Sequence, residues 1–273
     1  MNVDDLVNEM RTLLIPLRGR AVAAREGSRI LADAKAAQIA DELGLDLSAQ
    51  VRRRHSVTDL IHMARARVLD DFIRDFISEH PKATIVNLGA GLDTAFYRVD
   101  NGLITWIDVD QEPVIELRRR LLPETDRSRT ISTSLLDSQW LNEIPTGNDG
   151  VFIFAAGVLI YLRESQAAGL LATLAACFPR AQIAFDMQSA AGAFFGNFAL
   201  RRAGMGAAKL RWGSSGGRRI SRWSGLFDRV ECFPLFTSIR GSQFSSRWDS
   251  TIARMMDRFR AISIVRLTAA PAG

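Results

Sequence analysis

Apolar residues recur at helical spacing through roughly the first eighty positions, after which the period shortens to that of strands. In Ile30, Leu31, Ala34, Ala37, Ile39, Ala40 and Leu43 the spacing predicts a helix, and Gly44 supplies a C-terminal stop. A longer helix is predicted over 58–78, where Leu60, Ile61, Ala64, Val68, Leu69, Phe72, Ile73, Phe76 and Ile77 form one broad apolar face. Pro81 then ends helical structure. Five β-prone runs follow, at 83–88, 103–110, 129–133, 150–154 and 181–186, with helical patterns at 114–122 and 163–178. Strands that alternate with helices predict βαβ units, hence a doubly wound, mostly parallel sheet. Two late β-prone runs, 229–233 and 262–267, are expected to close it as an antiparallel pair.

The stretch 187–226 breaks this rhythm. It is rich in Gly and Ser, carries Arg201, Arg202, Lys209, Arg211, Arg218, Arg219 and Arg222, and contains no Asp or Glu. With no repeat and no linker elsewhere, it reads as an insertion after the fifth strand of one α/β domain spanning 1–273, with 1–80 as a helical N-terminal cap. The longest apolar run, 151–162, is too short to span a bilayer, and the acidic first ten residues do not resemble a secretory signal, so no membrane partner is expected. Cys177 and Cys232 cannot make a disulfide framework, which fits a reduced, cytoplasmic protein. The net charge of +5 comes mostly from arginine and could attract an acidic ligand. Without zinc-finger spacing, an aromatic RNA-binding strand or a basic recognition helix, it predicts no nucleic-acid partner.

Ligands of such sheets bind beyond the carboxyl ends of the strands. The first strand ends in Gly89-Ala90-Gly91, where glycines permit a tight turn and close approach of the backbone to a ligand. Asp93 or Thr94 is placed to cap the next helix. The second strand ends in Asp108-Val109-Asp110, where a carboxylate can accept hydrogen bonds from both hydroxyls of a ribose, with Asp110 the first choice. After the third strand, Leu135 and Leu136 could wall an adenine and Asp137 could accept from its amine. Thr94 stands where a pyrophosphate fingerprint requires its third glycine, which argues against a dinucleotide. An amino-acid tail on the ligand would instead require a cation, and Arg65 or Arg67 could provide one. His55, His62 and His80 lack metal-ligand spacing, so no metal is expected; His62 is read as a surface residue and His80 as structural.

The string from His62 to Asp110, including His-Met-Ala-Arg-Ala-Arg, Asn-Leu-Gly-Ala-Gly-Leu-Asp-Thr and Asp-Val-Asp, resembles the leucine carboxyl methyltransferase family. It is most similar to that family's bacterial branch of polyketide O-methyltransferases, the tetracenomycin-type enzymes. The likeness continues through Leu135-Leu136-Asp137-Ser138-Gln139-Trp140 and Gly157-Val158-Leu159-Ile160-Tyr161-Leu162. It implies a class I, Rossmann-like methyltransferase fold and S-adenosylmethionine as cofactor. By matching position it implies that Arg65 holds the cofactor carboxylate, Gly89 and Gly91 pass beneath its methionine portion, Asp110 binds ribose, and Leu135 and Leu136 flank adenine. It also implies that the 187–226 insertion is a lid over the acceptor. Two positions depart from the family's pattern: Ala156 replaces an acid, and Ala95 stands where Arg is common. The first removes a partner for the cofactor ammonium or the local backbone.

The function expected is O-methylation of a small hydrophobic acid or phenol, polyketide-like compounds included. A protein carboxyl methyltransferase and a non-catalytic cofactor-binding relative are the alternatives. Displacement at a sulfonium methyl requires chiefly alignment and exclusion of water. Tyr161 is expected to line the acceptor site as the catalytic side chain, and a phenol would need such a group while a carboxylate would not. Within the insertion, 193–198 is expected to give an apolar acceptor pocket, and Arg201, Arg202 or Arg211 could recognise an acidic acceptor.

Overall fold

The computed structural model of the chain describes residues 10–47, 56–146, 149–202, 208–214, 216–223 and 225–271. His55, the acidic first residues and 203–207 of the insertion lie outside them.

Among the described residues three α-helices precede the sheet: α1 (Leu14–Arg25), α2 (Ala34–Glu42) and α3 (Val57–Glu79). The expected helix through Ile30 and Leu31 starts later, at Ala34, because the Asp33 side chain accepts a hydrogen bond from Ala36 N (2.9 Å) and caps α2. Ile30 and Leu31 are buried in the turn ahead of it. Helix α3 begins at a capping box between Ser56 and Asp59 and exceeds the predicted span by one residue at each end.

The remaining elements are β1 (Thr84–Leu88), α4 (Ala95–Val99), β2 (Thr105–Asp110), α5 (Glu112–Leu121), β3 (Ser128–Ser132), β4 (Val151–Ala155), α6 (Glu164–Cys177), β5 (Gln182–Gln188), α7 (Ala190–Arg202), α8 (Gly217–Ile220), β6 (Phe227–Pro234), α9 (Arg247–Arg258) and β7 (Ile262–Ala269). The seven strands stand in the order β3-β2-β1-β4-β5-β7-β6. Neighbours from β3 to β5 pair in parallel, and β7 pairs antiparallel with both β5 and β6. The late strands therefore pair as expected, with β7 inserted beside β5. Because β1 lies between β2 and β4, the strand order reverses there, and the sheet opens a crevice at the carboxyl ends of β1 and β4.

Alternate strand residues feed two cores. Ile85, Trp106, Phe152 and Phe154 pack beneath α3 with Leu60, Met63, Leu69 and Ile73. On the other face, Val86, Leu88, Ile107, Val109 and Ile153 pack against Leu170, Leu171 and Leu174 of α6. Both faces are covered, which is why β1 and β4 are buried throughout. A third cluster joins α1 and α2 to Leu92 in the turn after β1. Among the described residues no helix is long and apolar enough to cross a membrane. Cys177 is exposed and Cys232 half-buried, and both are free thiols.

Candidate cofactor and acceptor site

The turn after β1 is held by side chains from far along the chain. Gly89 N and Ala90 N donate to Val109 O on β2 (2.7 and 3.2 Å). A Cβ on Gly89 would lie 2.5 Å from Val158, so glycine is required there by the loop after β4. Arg20 donates to Leu92 O (2.8 Å), while Arg118 donates to Gly91 O (3.0 Å) and Asp93 O (2.7 Å). Thr94 holds the N-cap position of α4 without a side-chain cap bond, and Asp93, one residue earlier, accepts from Ala95 N (2.9 Å). Burial pushes the Asp93 carboxyl up, but Arg20, Arg98 and Arg118 outweigh it and hold the group below the usual carboxylate range.

Beneath the turn lies a buried ionic cluster. Arg98 donates to Asp70 through Nε (2.7 Å) and Nη2 (2.9 Å), and to Asp33 and Thr94 through Nη1 (2.7 Å each). Arg20 donates to the same Asp33 oxygen (3.0 Å). These contacts tie α1, the start of α2 and α3 to the glycine turn. The sequence reading missed Arg20, Arg98 and Arg118. Arg118 had a signal, since it falls at helical spacing between the buried Ile115 and Leu122 and so on the apolar face of its helix.

One cavity of about 800 Å³ opens over this turn, within the range of roughly 300–1,000 Å³ usual for small-molecule sites. Of the predicted cofactor residues, Arg65, Gly89, Ala90, Gly91, Asp93, Asp110, Leu135, Leu136 and Ala156 line it, as does Tyr161. Asp110 accepts from Gly91 N and Gln111 N (2.8 Å each), and its carboxyl is pushed up by burial against the pull of those bonds.

Two predicted residues are placed elsewhere. Asp108 is buried behind the turn, where its carboxylate accepts from Asn87 and Trp106 (2.9 Å each) and Arg118 (2.6 Å). It is a structural anchor: the two-residue repeat of β2 puts it on the same face as Asp110 but one step further in, where Asn87, Trp106 and Arg118 enclose it, while Asp110 stands at the strand end over the crevice. Asp137 is exposed and accepts from Gln139 N (3.0 Å), outside the cavity lining.

Arg65 and Gly157 line the cavity as well, and Asp186, buried behind them, ties the two together. Arg65 Nη1 donates to Asp186 Oδ2 (3.2 Å), and Asp186 Oδ1 accepts from Gly157 N. Arg67 does not join them, because it forks onto Asp71 (2.8 and 2.9 Å) on the half-exposed side of α3. The surface placement expected for His62 is corrected: it lines the cavity, one helical turn from Arg65. Arg65 Nη2 and His62 Nδ1 are 3.1 Å apart. A guanidinium can only donate, so Nδ1 accepts and Nε2 carries the ring proton. Burial, then Arg65 and Arg20, hold the imidazole well below its ordinary pKa of 6.5. His80 caps α3 and stacks on Phe76 at 4.5 Å, as a structural residue. Among the described residues no cluster of His, Cys, Asp and Glu could hold a metal.

Away from the glycine turn the cavity becomes an apolar chamber, lined by Ile15, Ile61, Ile160, Leu200, Leu210 and Ile262. Tyr161 lines it too, its hydroxyl pKa pushed up by burial. The insertion is fastened over this chamber. Trp212 Nε1 donates to Leu159 O (2.8 Å), Arg211 N to Ile160 O (2.8 Å), and Asn197 exchanges two hydrogen bonds with the Leu210 backbone. The composition expected of α7 is corrected in one respect. Its inner face presents Gly196 and Leu200 to the chamber, whereas Phe194, Phe195 and Phe198 point outward. Arg201, Arg202 and Arg211 are also exposed and do not line the cavity.

The strand order, the reversed β7 and the glycine turn facing an acid at the end of β2 define a class I methyltransferase fold. Two solved structures share it. A candidate methyltransferase from Thermobifida fusca superposes with a TM-score of 0.58 at 12% identity, covering 92% of this chain and 94% of the other. A duf574 family protein from Streptomyces avermitilis gives 0.56 at 14% identity, covering 93% and 97%. The profile of the leucine carboxyl methyltransferase family matches residues 14–175, and the chain belongs to that family.

Among its relatives, the tetracenomycin polyketide synthesis O-methyltransferase TcmP of Streptomyces glaucescens is 36% identical over 177 residues, 64% of each chain. The likeness thus spans less than two thirds of that relative's length. The S-adenosyl-L-methionine-dependent methyltransferase dpfgK of Gibberella zeae is 29% identical over 217 residues, 72% of each chain.

Proposed function

We propose that this chain is a cytoplasmic S-adenosylmethionine-dependent O-methyltransferase acting on a small hydrophobic acceptor, polyketide-like acids foremost. The observation that carries the reading is the continuity of one cavity, from the glycine turn and Asp110 at one end to the apolar chamber beneath α7 at the other. The residues fit the cofactor. Asp110 keeps carboxylate capacity free for two ribose hydroxyls, Leu135 and Leu136 offer an apolar wall for adenine, and Arg65 retains N–H donors for a carboxylate tail.

When bound, S-adenosylmethionine supplies an electrophilic methyl group on a sulfonium. The chain's part is to orient the two reactants and keep water out. Asp186, buried behind the cavity wall, fixes the Arg65 guanidinium and the Gly157 amide in the place where the tail would lie. Tyr161 stays protonated, since burial raises its pKa, so it can donate to the acceptor and hold it in line. His62 carries its proton on Nε2 and likewise offers a donor. Donors without an evident base suit an acceptor oxygen that arrives already ionised, as a carboxylate does. The covered chamber supports a small molecule over a protein terminus, and TcmP's name supports a polyketide-like one.

The test is calorimetric titration with S-adenosylmethionine of the intact protein and an Asp110→Ala variant, followed by an acceptor screen read as S-adenosylhomocysteine formed. Binding by the intact chain, weakened at least tenfold in the variant, is expected. A folded intact protein that binds none would overturn the reading.

A further inference from the structure

Helix α7 is apolar on both sides. At helical spacing its exposed positions, Ala190, Ala191, Phe194, Phe195, Phe198, Arg201 and Arg202, fall on one continuous arc, and the residues that line the chamber fall on the opposite one. The three phenylalanines are 69%, 67% and 56% exposed. Phe194 and Phe195 meet edge to face at 5.6 Å, so they present one patch, and Arg202 lies over the Phe198 ring at 5.8 Å. A surface helix ordinarily gives water its polar face. Three adjacent aromatic side chains turned outward instead mark a surface that something covers.

The surrounding charge says what. No acid occurs anywhere from 187 to 226, and Arg201, Arg202, Lys209, Arg211 and Arg222 are exposed in that stretch. A second exposed apolar group, Trp248 and Met255 of α9 with Phe259 just past its end, carries basic neighbours in Arg254 and Arg258. It adjoins the start of α7 through the Ser189 N to Ala261 O hydrogen bond (2.9 Å). Aromatic side chains flanked by arginines without acids are the composition of a helix that lies in a lipid headgroup layer. A second copy of the chain would bring like charges together.

We propose that the outer face of α7 docks this protein on an anionic lipid surface. Docking is peripheral, with the helix lying in the interface, and departs from the expectation of no membrane partner because the side on which the phenylalanines emerge is set by the fold. One helix diameter, about 10 Å, separates that face from the chamber, so a lipophilic acceptor could pass directly from lipid into the site. This last step alone rests on the methyl-transfer reading.

The experiment is co-sedimentation of the full chain with vesicles of phosphatidylcholine alone, or of phosphatidylcholine mixed with phosphatidylglycerol, at low and high salt. Partition onto the anionic vesicles, weakened by salt, is expected. The triple variant Phe194→Ser, Phe195→Ser, Phe198→Ser should lose about tenfold or more of that partition, because the rings supply the buried apolar area. Its circular dichroism and its affinity for S-adenosylmethionine, if the intact chain binds it, should stay unchanged. No partition by the folded intact chain would overturn the proposal, as would undiminished partition of the triple variant. Light scattering that finds a dimer broken by the three substitutions would also overturn it, since a second copy would then be the occupant.

Discussion

Gly157 sits where backbone, cation and carboxylate meet, and replacing it with alanine separates two costs. Its φ of +73° lies in the left-handed region, which costs a residue with a Cβ about 1–2 kcal/mol. The new Cβ would also lie 2.5 Å from Arg65 Nη1, 3.0 Å from Cζ and 3.1 Å from Nη2. Three atoms of one planar group cannot all yield by a small rotation, so the guanidinium must leave. Asp186, only 2% exposed, then loses its cation, and breaking a buried pair on one side costs about 3–5 kcal/mol. Together the terms reach roughly 4–7 kcal/mol, or about 8–28 °C in melting temperature at roughly 2–4 °C per kcal/mol.

Thermal unfolding followed by circular dichroism measures the total. Gly91→Ala is the control: its φ is +49°, but its Cβ meets only the Leu13 side-chain tip at 3.1 Å, so strain of about 1–2 kcal/mol should be nearly the whole effect. In an Arg65→Met background, Gly157→Ala should likewise cost little beyond strain. If it costs as much there as in the unmodified chain, the guanidinium clash is not its cause, and the account of this wall is refuted.

Two further outcomes follow from buried charges. Arg98→Met leaves Asp33 and Asp70 without their shared cation and should destabilise the fold by about 3–5 kcal/mol in a denaturant titration, more than any exposed Arg→Met change. His62 is held neutral in the folded state well below pH 6.5, where the unfolded chain's imidazole binds a proton. Stability should therefore be level above pH 6.5 and fall as the pH drops toward the lowered folded value, by at most about 1.4 kcal/mol per unit. His62→Gln, which cannot titrate, should remove that component from the melting profile; an unchanged profile would count against a buried neutral ring.

The sheet was legible because its signal is local. A strand buried on both faces is a short apolar run, and a glycine turn must follow it, so β1, β2, β4 and β5 fall within two residues of their predicted bounds. Asp110 was legible for the same reason, since the end of a strand fixes its position. Asp108 was misjudged because two acids two positions apart share one face of the strand and read alike, and only depth along β2 puts Asp108 in the interior and Asp110 at the crevice. Arg20 reaches Leu92 across 72 positions and Arg98 reaches Asp33 across 65. Helical spacing marks an arginine such as Arg118 as facing inward, but nothing in a linear pattern names the distant partner it reaches. The phenylalanines of α7 failed differently: the helix was apolar enough for either side to face the chamber, and the seat of Leu210 against Gly196 chooses between them.

Ala155 of β4 and Phe185 of β5 are registered partners, so Ala156 and Asp186 are the next residues out along two adjacent strands. The family's acid before Gly157 is absent, yet a carboxylate bonded to that glycine's amide and to Arg65 stands one strand to the side. A carboxylate therefore lies within one strand of Ala156, behind the cavity wall, where it holds the Arg65 guanidinium in place. A column-by-column reading of the motif would count this chain among the degenerate members. Counted by position in space, a carboxylate still stands one strand from Ala156, and in its relatives these two positions should vary as a compensating pair.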